Sequence, residues 1–179
     1  MKPKVLILHG WHGSDAPHWQ DWLYHELLTQ GYEVAFPQLS DNKHPKKSVW
    51  MREAQAAYHA LQPDVVIAHS MGNTLWFHLC HEGLVNRVQR LLLVAPPRDL
   101  RDYDEVAEFF PVTTKACCAD EILMVSSTDD PYMSKAEAAE FARAHHFKQK
   151  VVQNGGHINS DSGFGPWPWV LEWVTKGGE

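Results

Sequence analysis

What this sequence lacks narrows its possible functions. No apolar run approaches the roughly 20 residues of a membrane-spanning helix. The opening MKPKVLILHG holds only four strongly apolar residues, Val5 to Leu8, before His9. That is too few for a signal-peptide core, and the segment reads as a first strand in a cytoplasmic protein. Cysteine is scarce, with three residues, two of them the adjacent Cys117 and Cys118, and neither a C-x-x-C pair nor a metal-finger spacing occurs. A disulfide framework and a cysteine zinc site are thereby excluded, and the thiols read as reduced and incidental. Basic clusters are missing too: none is longer than Lys46-Lys47, and the net charge is −6 with a pI near 6.0. Such a balance argues against a nucleic-acid or anionic-membrane surface and points to a small molecule as the partner. No internal repeat, low-complexity tract or linker divides the chain.

What is present is enough for a core. A length of 179 residues with a hydrophobic share of 44% suits one domain, residues 1–179. Short apolar runs recur at 5–8, 33–36, 65–68, 91–94, 122–125 and 150–152. Runs without polar alternation suit strands covered on both faces, as in a parallel sheet. Between them, apolar positions at helical spacing predict helices over 17–30, 48–61 and 72–82, and Ser134 with Glu137 has the spacing of a capping box opening a helix to about His145. A last helix is expected over 167–176. Strand and helix alternate to the end, which predicts a doubly wound, three-layer α/β domain of six parallel strands in the order 2-1-3-4-5-6. Residues 95–120 are longer than a helical crossover needs and read as a partial lid.

The run VVIAHSMGNTLW stops abruptly at Ser70, with Ala68 two residues before it and Gly72 two residues after. In open α/β sheets ligands gather at the carboxyl ends of strands, which is where Ser70 falls. A nucleophilic serine there stands on a sharp strand-to-helix turn, with small residues at both flanking positions so that strand and helix can approach. Here alanine replaces the usual first glycine of G-x-S-x-G. The alternative is a serine that merely caps the following helix.

A serine nucleophile needs a base, and the base a third group that fixes its tautomer. On this fold the chain order is serine, acid, histidine. Downstream, ILMV ends in SSTDDPYMS, with Asp129 and Asp130 beyond the strand, and KVVQNGGHINS places His157 in a glycine-flanked loop after the last strand. Acyl transfer also needs donors for an oxyanion. The N–H of Met71, directly after the serine, is one, and in the loop LHGWHGS the N–H of Trp11 is the best-placed second. His9 and His12 have no carboxylate or cysteine beside them in the sequence, so no metal is expected and His9 and His69 read as structural. Trp11, Trp76, Phe109, Phe110 and Tyr132 are candidates for an apolar cleft or for core.

Together LHGWHGSDAPHWQDWL, AHSMG, SSTDDP and GGHIN resemble the small serine-hydrolase family that includes retinoblastoma-binding protein nine and its bacterial relatives. The likeness spans nearly the whole chain and is weakest over 95–120. It implies a compact α/β-hydrolase core lacking the first two strands of the full fold, with the triad on Ser70, Asp130 and His157. It implies esterase-like or peptidase-like activity. The leading reading, a serine hydrolase forming an acyl-enzyme on Ser70, requires no cofactor. The L-x-C-x-E pattern tied to pocket-protein binding is absent, so that partner is not carried over. A lyase, a cofactor-free peroxidase or a binding protein on the same scaffold are the competing readings.

Overall fold

The structure, a computed structural model, describes residues 1–114 and 117–177. Six parallel strands form one sheet in the order β2-β1-β3-β4-β5-β6. In chain order the elements are β1 (Val5–Leu8), α1 (Trp19–Thr29), β2 (Val34–Ala35), α2 (Lys47–Leu61), β3 (Val65–His69), α3 (Met71–His81), β4 (Val88–Val94), β5 (Ala119–Ser127), α4 (Lys135–Ala144), β6 (Lys148–Val152) and α5 (Pro168–Thr175). Successive strand residues face opposite sides, which divides the core in two. Leu6, Leu8, Val66, Leu91 and Leu93 pack with α2, α3 and α4, whereas Val5, Ile7, Val65, Ile67 and Leu92 pack with α1 and α5. This is the three-layer α/β-hydrolase arrangement, and its strand order is the expected one.

Several boundaries differ from those expected, each for a physical reason. β4 begins at Val88 rather than 91, because the charge of Arg90 is accommodated. Its guanidinium lies 4.8 Å from the Trp173 ring and donates to the carbonyls of Trp173 and Val174 at 2.8 and 3.0 Å. β5 begins at Ala119, so the last two residues of the expected lid, Ala119 and Asp120, are strand, with Val88 paired to Ala119. Within the rest of that segment residues 107–109 form a single 3-10 turn, and Leu100, Val106 and Phe109 are buried in the core against α2 and α3. Lys115 and Ala116, which the lid reading also covered, lie outside the described residues. β6 carries Lys148 and Lys150 at the sheet edge, where lysine discourages further strand pairing.

The capping box at α4 is formed, Ser134 accepting from the Glu137 N–H while the Glu137 carboxylate accepts from the Ser134 N–H. The α1 cap is unusual: the His18 ring, not a serine or aspartate, accepts the N–H of Gln20 at 3.1 Å. No described helix is long and apolar enough to cross a membrane.

β1 lies beside β3 with Leu8 opposite Ala68. That register delivers the loop after β1 to the turn at Ser70.

Candidate active site

The turn between β3 and α3 is built around Ser70, whose φ of 53° and ψ of −124° lie in a region few non-glycine residues occupy. Holding a serine there costs about 1–3 kcal/mol, which the surroundings must offset. Part of that support comes from Asn73, whose side-chain amide donates to the carbonyls of Ser70 and Val94 at 2.9 and 2.8 Å. Gly72 permits the tight approach of α3 to β1, since a Cβ there would sit 2.4 Å from the Leu8 carbonyl oxygen.

Three side chains from distant parts of the chain meet at this turn. Ser70 Oγ is 2.7 Å from His157 Nε2, and His157 Nδ1 is 2.9 and 3.0 Å from the two carboxylate oxygens of Asp130. All three residues are buried. With Nδ1–H donating to the carboxylate, Nε2 keeps its lone pair toward the hydroxyl, the tautomer a general base needs. Asp130 also accepts the N–H of Tyr132 at 2.9 Å. The neighbouring Asp129 faces elsewhere: one of its oxygens accepts the Ser127 hydroxyl at 2.7 Å and the Gly156 N–H at 2.8 Å. Those bonds, the hydroxyl first, lower its pKa and fasten the loop carrying His157 to the end of β5.

Opposite the serine, the loop after β1 presents Trp11. The ring of His9 accepts the Leu39 N–H on Nε2 at 2.9 Å, so its proton is on Nδ1, which donates to the Gly10 carbonyl at 2.8 Å. The Gly13 N–H donates to the same carbonyl at 3.0 Å. Because a trans peptide points its N–H opposite to its C=O, pinning the Gly10 carbonyl also fixes the direction of the Trp11 N–H. Neither that N–H nor the Met71 N–H donates to another described group. A Cβ on Gly10 would stand 3.0 Å from the Met71 nitrogen and 2.8 Å from the Ser70 Cβ, so glycine lets the loop after β1 approach the turn at Ser70 this closely.

Three more histidines brace the site in neutral form. His69 Nε2–H donates to the His157 carbonyl at 2.9 Å, and burial holds its pKa well below the usual value. Burial likewise lowers His9, against the opposing pull of its bond to Gly10. His18 falls to about 4, through burial first and then the nearness of His157 and His9. With both ring nitrogens of His9 engaged, it has none left for a metal, and the described residues contain no cluster of three or more histidine, cysteine or acidic side chains able to hold one.

The site opens into a cleft of about 330 Å³. Its lining includes the apolar side chains of Trp11, Leu100 and Tyr132 and the polar ones of Asp15, His18, Asn159 and Asp161. Of the five aromatic candidates, only Trp11 and Tyr132 line it, while Trp76, Phe109 and Phe110 are core. Tyr103 bridges the two lining rings at 5.7 and 6.1 Å. The thiols play no part here: Cys80 is buried and its pKa pushed up, and burial raises Cys117 to about 11.

Sequence reasoning missed Asn73 and His18. Their signals were faint: an amide in the first turn of an otherwise apolar helix, and a histidine in a cap position.

The model of the family described as serine hydrolase matches residues 5–176. In sequence the chain is 25% identical over 183 residues to YdeN of Bacillus subtilis (strain 168), covering 98% of this chain and 96% of YdeN. The crystal structure of the B. subtilis ydeN gene product aligns with a TM-score of 0.83 at 24% identity, over 97% of both chains. Two more distant structures share the fold. Est1E from Butyrivibrio proteoclasticus, solved with ferulic acid bound, has a TM-score of 0.67 at 14% identity, covering 98% of this chain and 87% of its own. The esterase domain of a Rhodothermus marinus protein has a TM-score of 0.60 at 15% identity, covering 90% and 80%.

Proposed function

Since the chain belongs to the serine hydrolase family, we propose that it cleaves a small ester, thioester or amide through an acyl intermediate on Ser70. The observation that carries this reading is the continuous line from Ser70 Oγ through the His157 ring to Asp130, at 2.7 and 2.9 Å. As Ser70 Oγ bonds to the substrate carbonyl carbon, its proton passes to His157 Nε2. Asp130 holds the ring and balances the imidazolium. The carbonyl oxygen becomes an oxyanion facing the N–H groups of Trp11 and Met71, donors set in place beforehand and so costing no reorganisation. Collapse breaks the bond to the leaving group, which takes the proton from His157. Water then repeats the sequence and frees Ser70. The chain's own residues supply every group these steps need, and no cofactor enters them.

Two competing classes share the scaffold. A pure binding protein has no use for a strained serine kept 2.7 Å from a base, and this contact favours turnover. A lyase or cofactor-free peroxidase would use the same residues without acylating the serine. A panel of activated esters, thioesters and aminoacyl amides separates them. Hydrolysis of at least one class is expected, falling by about 10⁴-fold or more in Ser70→Ala, as loss of a triad nucleophile does elsewhere. Equal rates for both proteins would remove Ser70 from the mechanism.

A further inference from the structure

The cleft beside Ser70 and His157 carries fixed charge of one sign only. Asp15 and Asp161 line it and are exposed, and no lysine or arginine is among its lining residues. Neither carboxylate forms an ion pair with a described residue. The arginines nearest in the chain to Leu100, another lining residue, are matched by aspartates of their own segment: Arg98 with Asp102 at 2.8 Å and Arg101 with Asp99 at 2.9 Å. The buried histidines of the lining do not offset the two carboxylates either, since burial keeps His18 and His69 neutral.

The two aspartates come from separate parts of the chain, Asp15 from the loop after β1 and Asp161 from the 3-10 turn 160–162 beyond His157. Their local structure does not use the carboxylates. The turn 160–162 is capped by Asn159, whose side chain accepts the Ser162 N–H at 3.1 Å, and Asp15 accepts the His18 N–H at 3.0 Å through its backbone carbonyl. Both charges are therefore left for whatever enters the cleft, and a cleft with low-dielectric walls focuses the field of such charges. A second feature favours the same sign of ligand: the rings of Trp11 and Tyr132 also line the cleft, and the face of an aromatic ring attracts a cation.

We infer that the cleft selects cationic substrates, esters bearing an ammonium group that the carboxylates of Asp15 and Asp161 and the rings of Trp11 and Tyr132 receive. The inference rests on the reading of Ser70 as an acyl-forming nucleophile and names the substrate class of that site. Asp15 and Asp161 act in it as specificity residues, with no part in the proton transfers. The ammonium group belongs to the acid or to the alcohol of the ester, and the test distinguishes the two.

Two pairs of esters matched in shape test it, each pair exchanging a quaternary nitrogen for a quaternary carbon. Choline butyrate against 3,3-dimethylbutyl butyrate places the charge on the alcohol, and methyl 4-(trimethylammonio)butanoate against methyl 5,5-dimethylhexanoate places it on the acid. Each kcat/KM is divided by the rate of that ester with hydroxide, which removes differences in intrinsic reactivity. At pH 8 and low ionic strength the wild-type protein should favour the cationic ester by on the order of 10-fold or more in at least one pair, and the pair that shows it locates the ammonium group. Raising sodium chloride from about 10 to about 500 mM should cut that preference by about 3-fold or more, because the screening length shrinks from about 30 Å to a few Å. The double variant Asp15→Asn with Asp161→Asn keeps both side-chain shapes and should cut it by about 3-fold or more as well; the readout is the ratio within a pair, which a general loss of activity does not move. A wild-type protein without preference for the cationic ester in either pair overturns the inference with no variant required. A preference that salt leaves intact, or that survives in the double variant, overturns it too. In those cases Ser70-dependent hydrolysis of the neutral esters leaves the nucleophile reading standing. Hydrolysis of none of the four, or rates unchanged in Ser70→Ala, refutes both.

Discussion

At the scale of single residues, the adjacent aspartates give the sharpest contrast. Asp130 binds the histidine, and Asp129 binds the loop on which the histidine stands. An asparagine at 130 favours the wrong imidazole tautomer and cannot balance its charge, so Asp130→Asn should lower kcat by on the order of 10² or more. An asparagine at 129 still offers an oxygen to the Gly156 N–H, and Asp129→Asn should cost less than about 10-fold. Steady-state rates of both variants on one activated ester check this, and the reverse ranking would move the acid to Asp129. Ser70 allows a second test. Its backbone, with φ of 53°, is one that glycine adopts readily, so Ser70→Gly should abolish hydrolysis yet unfold later than wild type. Relief of about 1 kcal/mol corresponds to roughly 2–4 °C in a chain of this size, measurable by thermal denaturation. The serine, the aspartate pair and the histidine of the candidate site could be picked out in the sequence because they fall at strand ends in the chain order serine, acid, histidine. His18 and Asn73 were not, because what they do depends on partners such as Val94 and His157 that only folding brings near.

At the scale of elements, the site depends on one close approach, that of β1 to the start of α3. A methyl group on Gly72 would press to within 2.4 Å of the Leu8 carbonyl oxygen and 2.8 Å of that of His9, both backbone atoms with little room to yield. Gly72→Ala should therefore destabilise by about 1–3 kcal/mol or more through overpacking. It should also reduce activity, because the displaced helix carries the Met71 N–H; urea unfolding and ester hydrolysis on the same preparation measure both. A stable, fully active variant would mean that the approach is not needed. Most elements could be read from apolar runs, the α4 capping box from the spacing of Ser134 and Glu137, and the strand order from the doubly wound alternation of strand and helix. The start of β4 could not, because Arg90 interrupts the run and is made tolerable by Trp173 and Val174, which follow it by more than eighty residues. The start of β5 was hidden by the charged pair Asp120 and Glu121 at its exposed end.

Across the whole molecule, buried neutral histidines tie stability to pH. His9, His18 and His69 all have folded pKa values below the ordinary 6.5, with His18 near 4. Above pH 6.5 both folded and unfolded chains hold these rings neutral, and nothing is lost. Below it the unfolded chain takes up protons that the folded chain refuses, so stability falls as pH drops from 6.5 toward 4 and levels off once the folded rings also titrate. Urea unfolding at pH 7.5 and 4.5 should show a markedly lower midpoint at the acid pH, and equal midpoints would contradict the neutral, buried assignment of these rings. The central claim, that this fold exists to make one serine nucleophilic, is tested most directly by treating the folded protein with a fluorophosphonate and locating the adduct by mass spectrometry. The expected result is one phosphonyl group per chain, on the peptide containing Ser70, with hydrolysis lost in proportion and no labelling of Ser70→Ala. Labelling that persists in Ser70→Ala, or an adduct on any other residue, would contradict it.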